Sequence, residues 1–246
     1  MSNDNHRIAL ITGANKGIGL ATARELARAG HTVLIGARAP ERGAEAAAGL
    51  TAEGLDARFV RLDVTDPATV AAAAALVTAE YGRLDTLVNN AAITRDFGTT
   101  PETLPLDDLR TTYETNVFGA VTVINAMLPL LRTSPAGLIG NVSSGLGSSS
   151  VLADPDTPAG ASAALLGYNT SKAALNAVTL VFARVLRAEG IKVSALDPGH
   201  CATDLNHHSG PASVEEGGRR IARQLAEALT APTGQYFNSA GGRYPW

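Results

Sequence analysis

Short apolar segments of strand length alternate with longer segments of helical periodicity along most of this chain. Residues 7–12 predict a strand, 17–29 a helix and 32–37 a second strand. Such alternation predicts an α/β fold: a doubly wound parallel sheet of about seven strands, covered by helices on both faces. The remaining strands are predicted at 57–62, 84–89, 138–143, 191–196 and 234–238.

Length and composition fit one domain that acts on a small molecule. The chain has 246 residues, of which 45% are hydrophobic and 17% charged, with a formal net charge of −3. We therefore expect a single domain over 1–246, with no nucleic-acid partner and no anionic membrane surface as partner. The longest Ala-rich apolar run, 70–77, is too short to span a bilayer.

The cysteine content and the N-terminal sequence favour a cytoplasmic location. Cys201 is the single cysteine, which excludes an intramolecular disulfide and suits a reducing compartment. We expect it to be a buried, inert thiol. Residues 1–7 are polar and show no signal-peptide core ahead of the first strand.

A glycine-rich turn follows the first predicted strand. Gly13, Gly17 and Gly19 lie where the strand gives way to the first helix. Without Cβ atoms, these positions let the backbone approach a pyrophosphate, and the helix N-terminus offers free N–H groups. The spacing differs from the GxGxxG fingerprint, although a turn placed between strand and helix still favours dinucleotide binding over a purely structural turn.

The end of the second strand predicts NADP rather than NAD. An NAD site usually places an acid there, whereas this chain has Arg38, with Lys16 and Arg42 as further cations for a 2′-phosphate. The alternative is that Arg38 and Arg42 are surface charges that open a helix. After the third strand, Asp63 is predicted to accept from the adenine amino group, with Val64 packed below.

Tyr168 and Lys172 are four residues apart in a predicted helix and should share one face. A neighbouring ammonium favours the phenolate, so we expect Lys172 to lower the pKa of Tyr168. Alone, such a pair is often a solvated helix face. Here it follows Ser143 and Ser144 at the end of the fifth strand, and the stretch 145–167, which lacks regular periodicity, predicts a substrate loop or lid.

These features together resemble the short-chain dehydrogenase/reductase family over nearly the whole chain. Residues 12–19 look like its glycine motif, 89–92 like its Asn-Asn-Ala-Gly motif and 197–199 like its segment after the sixth strand. Ala92 replaces the usual glycine, a small change that we expect to be tolerated. The resemblance implies a Rossmann-type fold, and the closest subgroup resemblance is to the monomeric carbonyl reductases.

The resemblance also implies roles for individual residues. Tyr168 would protonate a carbonyl as hydride arrives from NADPH, Ser144 would bind the substrate oxygen with Ser143 as the alternative, and Asn116 would hold a water that relays protons to Lys172. Thr203 would touch the nicotinamide carboxamide or the diphosphate. The implied cofactor-binding set is Gly13, Asn15, Lys16, Gly17, Ile18, Gly19, Arg38, Asp63, Val64, Asn90, Ala91, Tyr168, Lys172, Pro198, Gly199 and Thr203.

The resulting hypothesis is NADPH-dependent reduction of a ketone, aldehyde or quinone. Two alternatives stay open: an alcohol dehydrogenase that runs in the oxidative direction, and a catalytically silent dinucleotide-binding regulator on the same fold. His200, His207 and His208 lack the spacing and partners of a metal site, so no metal is predicted. A monomer and a homo-oligomer both remain possible.

Overall fold

A computed structural model of the chain describes residues 6–154, 156 and 164–246. One sheet of seven strands has the order β3-β2-β1-β4-β5-β6-β7, and every neighbouring pair is parallel. This confirms the predicted fold class. The strands are β1 (Ile8–Thr12), β2 (Thr32–Ala37), β3 (Ala57–Arg61), β4 (Thr86–Asn89), β5 (Leu138–Val142), β6 (Lys192–Leu196) and β7 (Tyr236–Phe237).

Helices cover both faces of the sheet. They are α1 (Gly17–Arg28), α2 (Pro40–Ala52), α3 (Pro67–Tyr81), α4 (Leu106–Tyr113), α5 (Ala120–Arg132), α6 (Ser149–Leu152), α7 (Leu166–Val185) and α8 (Val214–Thr230). One buried core joins the sheet to α3, α5 and α7, and the other joins it to α1, α2 and α8. Because each central strand is buried on both faces, these strands read as continuous apolar runs in the sequence.

The predicted strands fall where the structure has them, with differences at their ends. The largest difference is at the last strand, predicted at 234–238, which is reduced to Tyr236–Phe237 at the sheet edge. There Phe237 forms an antiparallel bridge with Arg243, so the chain turns back on itself instead of extending the parallel ladder.

A π-helical turn, Glu114–Gly119, joins α4 to α5 and makes one continuous helix over Leu106–Arg132. By length and composition this helix could cross a membrane, but half of its most apolar window is buried inside the fold. Val123, Ile124 and Met127 lie in the core, which accounts for its apolar character.

Part of the predicted irregular loop 145–167 is helical. Residues Gly145–Gly147 form a 3₁₀ turn and Ser149–Leu152 the short helix α6, while α7 already begins at Leu166. The prediction of a stretch without regular structure is therefore wrong at both of its ends. Position 155 and residues 157–163, the middle of the predicted substrate loop, lie outside the described residues.

The outer face of α7 carries exposed apolar side chains. Val181 and Val185 are 62% and 63% exposed, whereas Phe182 packs against the core. Of these three residues only the two valines lie at the surface, and the oligomeric state stays a prediction.

Candidate active site

Tyr168 and Lys172 lie on the first two turns of α7, beside the carboxyl ends of β5 and β6. The Lys172 side chain is 2% exposed, and its ammonium donates to the carbonyl of Val142, the last residue of β5, at 2.7 Å. Its Nζ lies 5.6 Å from the centroid of the Tyr168 ring. The four-residue spacing therefore brings the phenol and the ammonium together, as predicted.

Burial sets the proton affinities of both groups. It lowers the pKa of Lys172 to about 8. Burial also raises the pKa of Tyr168, and the negative charge of Asp197 raises it further, while a hydrogen bond with Ser144 opposes both effects. The expectation of a lowered Tyr168 pKa is thus wrong in direction, because desolvation of the phenol and the Asp197 charge raise it. The phenol stays protonated and can donate.

The two serines after β5 have different partners. Ser143 is 2% exposed, and its hydroxyl donates to Oδ1 of Asn176 at 2.6 Å. Ser144 is half-buried, and its hydroxyl hydrogen-bonds Tyr168 and accepts from the Leu146 N–H. The Ser144 hydroxyl is therefore the one placed beside the Tyr168 phenol, whereas Ser143 ties β5 to α7.

The side chain of Asn116, in the π-helical turn, ties the loop after β4 to α7 through hydrogen bonds. Its Oδ1 accepts from the N–H of Ile93 at 2.8 Å, and its Nδ2 donates to the Ile93 carbonyl and to the Ser171 hydroxyl. Both amide hydrogens are used, so the side chain does not hold the predicted relay water by donation. A relay to Lys172 would have to use the backbone carbonyl of Asn116.

Asp96 is part of the site but was missed in the sequence. It lies in the loop after β4, is 3% exposed, and accepts from the backbone N–H groups of Gly167 and Tyr168 at 2.7 and 2.9 Å. These are donors that a helix leaves unpaired in its first turn, so Asp96 caps α7 from a distant segment. No local pattern marks it, because its partners are 71 and 72 positions away.

The glycine turn forms a cradle at the end of β1. Gly13 and Gly17 have φ values of 63° and 59°, and a Cβ on Gly19 would lie 2.5 Å from Nδ2 of Asn90. Nδ2 of Asn90 donates to the carbonyls of Thr12 and Gly13, which locks the turn to the end of β4. Helix α1 begins without a capping side chain, so its N-terminal N–H groups remain suited to a pyrophosphate.

Arg38 and Lys16, two of the cations predicted to meet a 2′-phosphate, have different surroundings. Arg38, directly after β2, is exposed and forms no ion pair with any described residue. The Lys16 ammonium, predicted to meet a 2′-phosphate, instead pairs with the carboxylate of Asp204, on the segment after β6. The role of Lys16 at a 2′-phosphate stays a prediction, and Asp204, which holds the ammonium here, lies 188 positions along the chain.

The other predicted cofactor-binding residues line the same edge of the sheet. Asp63 follows β3, with one carboxylate oxygen accepting from the N–H and the hydroxyl of Thr65, and Val64 is buried below. Gly199 has φ 80° and donates its N–H to Asp197. Thr203 begins a 3₁₀ turn that Asn206 caps. The remaining residues, Asn15, Ile18, Ala91 and Pro198, lie in the loops or the helix start that follow β1, β4 and β6.

The residues present fit a dinucleotide. Three features lie along one edge of the sheet, where strand order reverses between β1 and β4. They are the space that a Cβ at Gly19 would fill, the uncapped start of α1 and the Arg38 guanidinium, which forms no ion pair with a described residue. Among the described residues, no group of three or more His, Cys, Asp or Glu side chains could hold a metal ion.

Comparisons with known proteins agree with this geometry. The family model for short chain dehydrogenases matches residues 7–213. A short-chain dehydrogenase, anuI, from Penicillium roqueforti is 37% identical over 226 residues, covering 89% of this chain and 88% of the relative. Carbonyl reductase (NADPH) 3 of Mus musculus is 33% identical, covering 93% and 95%.

Among solved structures, the NADPH-bound carbonyl reductase from chicken fatty liver is similar to the chain with a TM-score of 0.85. It is 30% identical, and the match covers 98% of this chain and 99% of that one. The chain belongs to the short-chain dehydrogenase family, whose members are oxidoreductases that bind a nicotinamide dinucleotide. Within that family it is carbonyl reductase-like.

Proposed function

We propose that the protein reduces the carbonyl group of a small ketone, aldehyde or quinone with NADPH, and that Tyr168 donates the proton. The observation that carries the proposal is the placement of Ser144 beside the Tyr168 phenol, with the buried Lys172 Nζ 5.6 Å from the centroid of the phenol ring. A phenol, a hydroxyl and an ammonium at one strand edge are what protonation of a developing alkoxide requires.

In this mechanism the bound nicotinamide supplies the hydride. Ser144 donates to the carbonyl oxygen and holds it near the phenol, and Tyr168 passes its proton to that oxygen. The Lys172 ammonium, which donates to the Val142 carbonyl, balances the negative charge left on Tyr168 once the phenol has given up its proton. Asp96 holds the first turn of α7 in place. The raised pKa of Tyr168 keeps the phenol protonated at neutral pH and able to donate, and the same residues serve the oxidative direction in reverse.

The assay follows NADPH absorbance with 4-nitrobenzaldehyde, acetophenone and menadione as probes. We expect turnover with at least one probe, and near-complete loss of turnover in Tyr168→Phe with NADPH binding, followed by fluorescence, almost unchanged. Tyr81→Phe, on the remote helix α3, is the matched control. Tight NADPH binding without turnover on any carbonyl would instead favour the silent regulator.

The preference for NADPH is proposed from Arg38, which lies free at the end of β2 where an acid would otherwise bind the ribose hydroxyls of NAD. Ala37→Asp combined with Arg38→Ile should move the ratio of kcat/KM values from NADPH toward NADH. A wild-type enzyme that already prefers NADH would contradict the proposal.

A further inference from the structure

Asp197 is a buried carboxylate, and the Arg220 guanidinium donates to the carbonyl of the next residue, Pro198, at 3.0 Å. Asp197 itself follows β6, is 3% exposed, and takes part in none of the ion pairs among the described residues. Oδ1 accepts from the N–H of Gly199 at 2.8 Å, and Oδ2 accepts from the Tyr244 hydroxyl at 3.0 Å. The backbone N–H groups of Ser239 and Gly145 lie near enough to lower its pKa. Burial raises the pKa of the Asp197 carboxyl, and these donors oppose that rise.

These donors come from three different segments. Gly199 lies after β6, Gly145 lies directly after Ser144, and Ser239 and Tyr244 belong to the C-terminal segment 236–246. A single carboxylate thus joins the loop that carries the catalytic serine to the end of the chain. A buried charge of this kind is tolerated only when such bonds compensate its lost hydration.

The C-terminal segment packs directly on the serine loop. The Tyr236 side chain is 1% exposed, and its hydroxyl donates to the Ser144 carbonyl. The Ser148 hydroxyl donates to the Pro245 carbonyl at 3.2 Å. A Cβ on Gly145 would lie 2.7 Å from the Tyr244 hydroxyl, so glycine at 145 leaves the room that Tyr244 needs.

We propose that Asp197 and Tyr244 are positioning residues for the reaction: they hold segment 236–246 against Ser144, the residue beside the Tyr168 phenol. This inference rests on the proposed carbonyl reduction. The titratable and charged groups that face Tyr168 are Lys172 on its own helix, Asp197 after β6, Tyr236 on β7 and Asp96 at its backbone N–H. Burial and the Asp197 charge both raise the pKa of Tyr168.

Trp246 gives a readout that does not depend on activity. It is the single tryptophan of the chain, and its ring stacks on Tyr236 with centroids 5.2 Å apart. Quenching of tryptophan fluorescence by acrylamide therefore reports whether segment 236–246 is docked. In Tyr244→Phe and in Asp197→Asn we expect stronger quenching, with NADPH binding retained, and Tyr81→Phe serves as the control.

The second readout is the pH profile of kcat for 4-nitrobenzaldehyde or whichever probe the wild type reduces. Removing the negative charge in Asp197→Asn should lower the pKa of Tyr168, so the alkaline decline in reduction should move to lower pH. Tyr244→Phe keeps the carboxylate, and we expect about a 10-fold loss of kcat from misplacement of Ser144.

The outcomes separate the two proposals. If the wild type binds NADPH and reduces no carbonyl, the proposed function fails, while stronger Trp246 quenching in both variants would still support docking by Asp197 and Tyr244. If the wild type is active and both variants keep its pH profile, kcat and quenching, the positioning role is overturned. An Asp197→Asn protein too unstable to assay leaves Tyr244→Phe to decide by the kcat and quenching criteria.

Discussion

The carboxylate of Asp96 accepts a hydrogen bond from the backbone N–H of Tyr168 at 2.9 Å, and so fixes the first turn of α7 from the loop after β4. We expect Asp96→Ala to lower kcat by about 10-fold and to destabilise the fold by about 1–2 kcal/mol, because two helix N–H groups lose their acceptor. The measurements are steady-state kinetics and denaturant unfolding.

A matched control for Asp96 exists elsewhere in the chain. Asp66 caps α3 by accepting from the N–H of Ala68, away from the site. Asp66→Ala should lose a similar amount of stability while keeping kcat. Equal activity losses in the two variants would show that Asp96 acts through general stability alone.

We expect alanine at Ser144 to lower activity and alanine at Ser143 to lower stability. Ser144→Ala should lower kcat by roughly 10²-fold, since it removes the hydroxyl beside the Tyr168 phenol. Ser143→Ala should mainly lower stability, because it leaves the buried Asn176 carbonyl without its donor. Single-turnover rates and thermal unfolding of both variants test this, and the reverse ranking would exchange the two roles.

The Lys16–Asp204 ion pair predicts a cofactor-specific effect. Releasing Lys16 by Asp204→Asn should tighten NADPH binding by up to about 5-fold, because the ammonium becomes free to meet a 2′-phosphate. NADH, which lacks that phosphate, is the internal control and should bind as before. Equal changes in the two dissociation constants, measured by fluorescence titration, would refute a role of Lys16 in 2′-phosphate binding.

Replacing Lys172 is expected to raise stability and to lower activity. Its pKa in the folded protein is about 8, against an ordinary 10.5, so burying the ammonium costs stability fully below pH 8 and progressively less up to pH 10.5. Lys172→Met should therefore abolish most turnover yet unfold with roughly 2 kcal/mol more free energy at neutral pH. Denaturant unfolding should show this advantage shrinking as pH rises through that window.

Local patterns in the sequence predicted what depends on local structure. The strands and their parallel arrangement follow from apolar periodicity, and the four-residue spacing alone brings Tyr168 to Lys172. The pairing of Lys16 with Asp204 and the cap of α7 by Asp96 depend on how distant loops meet over the sheet edge. The Tyr168 pKa was misjudged for the same reason, since burial and the Asp197 charge are tertiary effects.

The π-helical turn at Glu114–Gly119 makes the long helix Leu106–Arg132 sensitive to length as well as to composition. Such a turn accommodates one residue more than a regular helix of the same rise. Deleting a single residue there would return the helix to regular geometry while α4 and α5 keep the faces that they bury, whereas a deletion within a regular helix rotates one side by about 100° relative to the other. The cost would fall on Asn116, which the widened turn presents to Ile93 and Ser171.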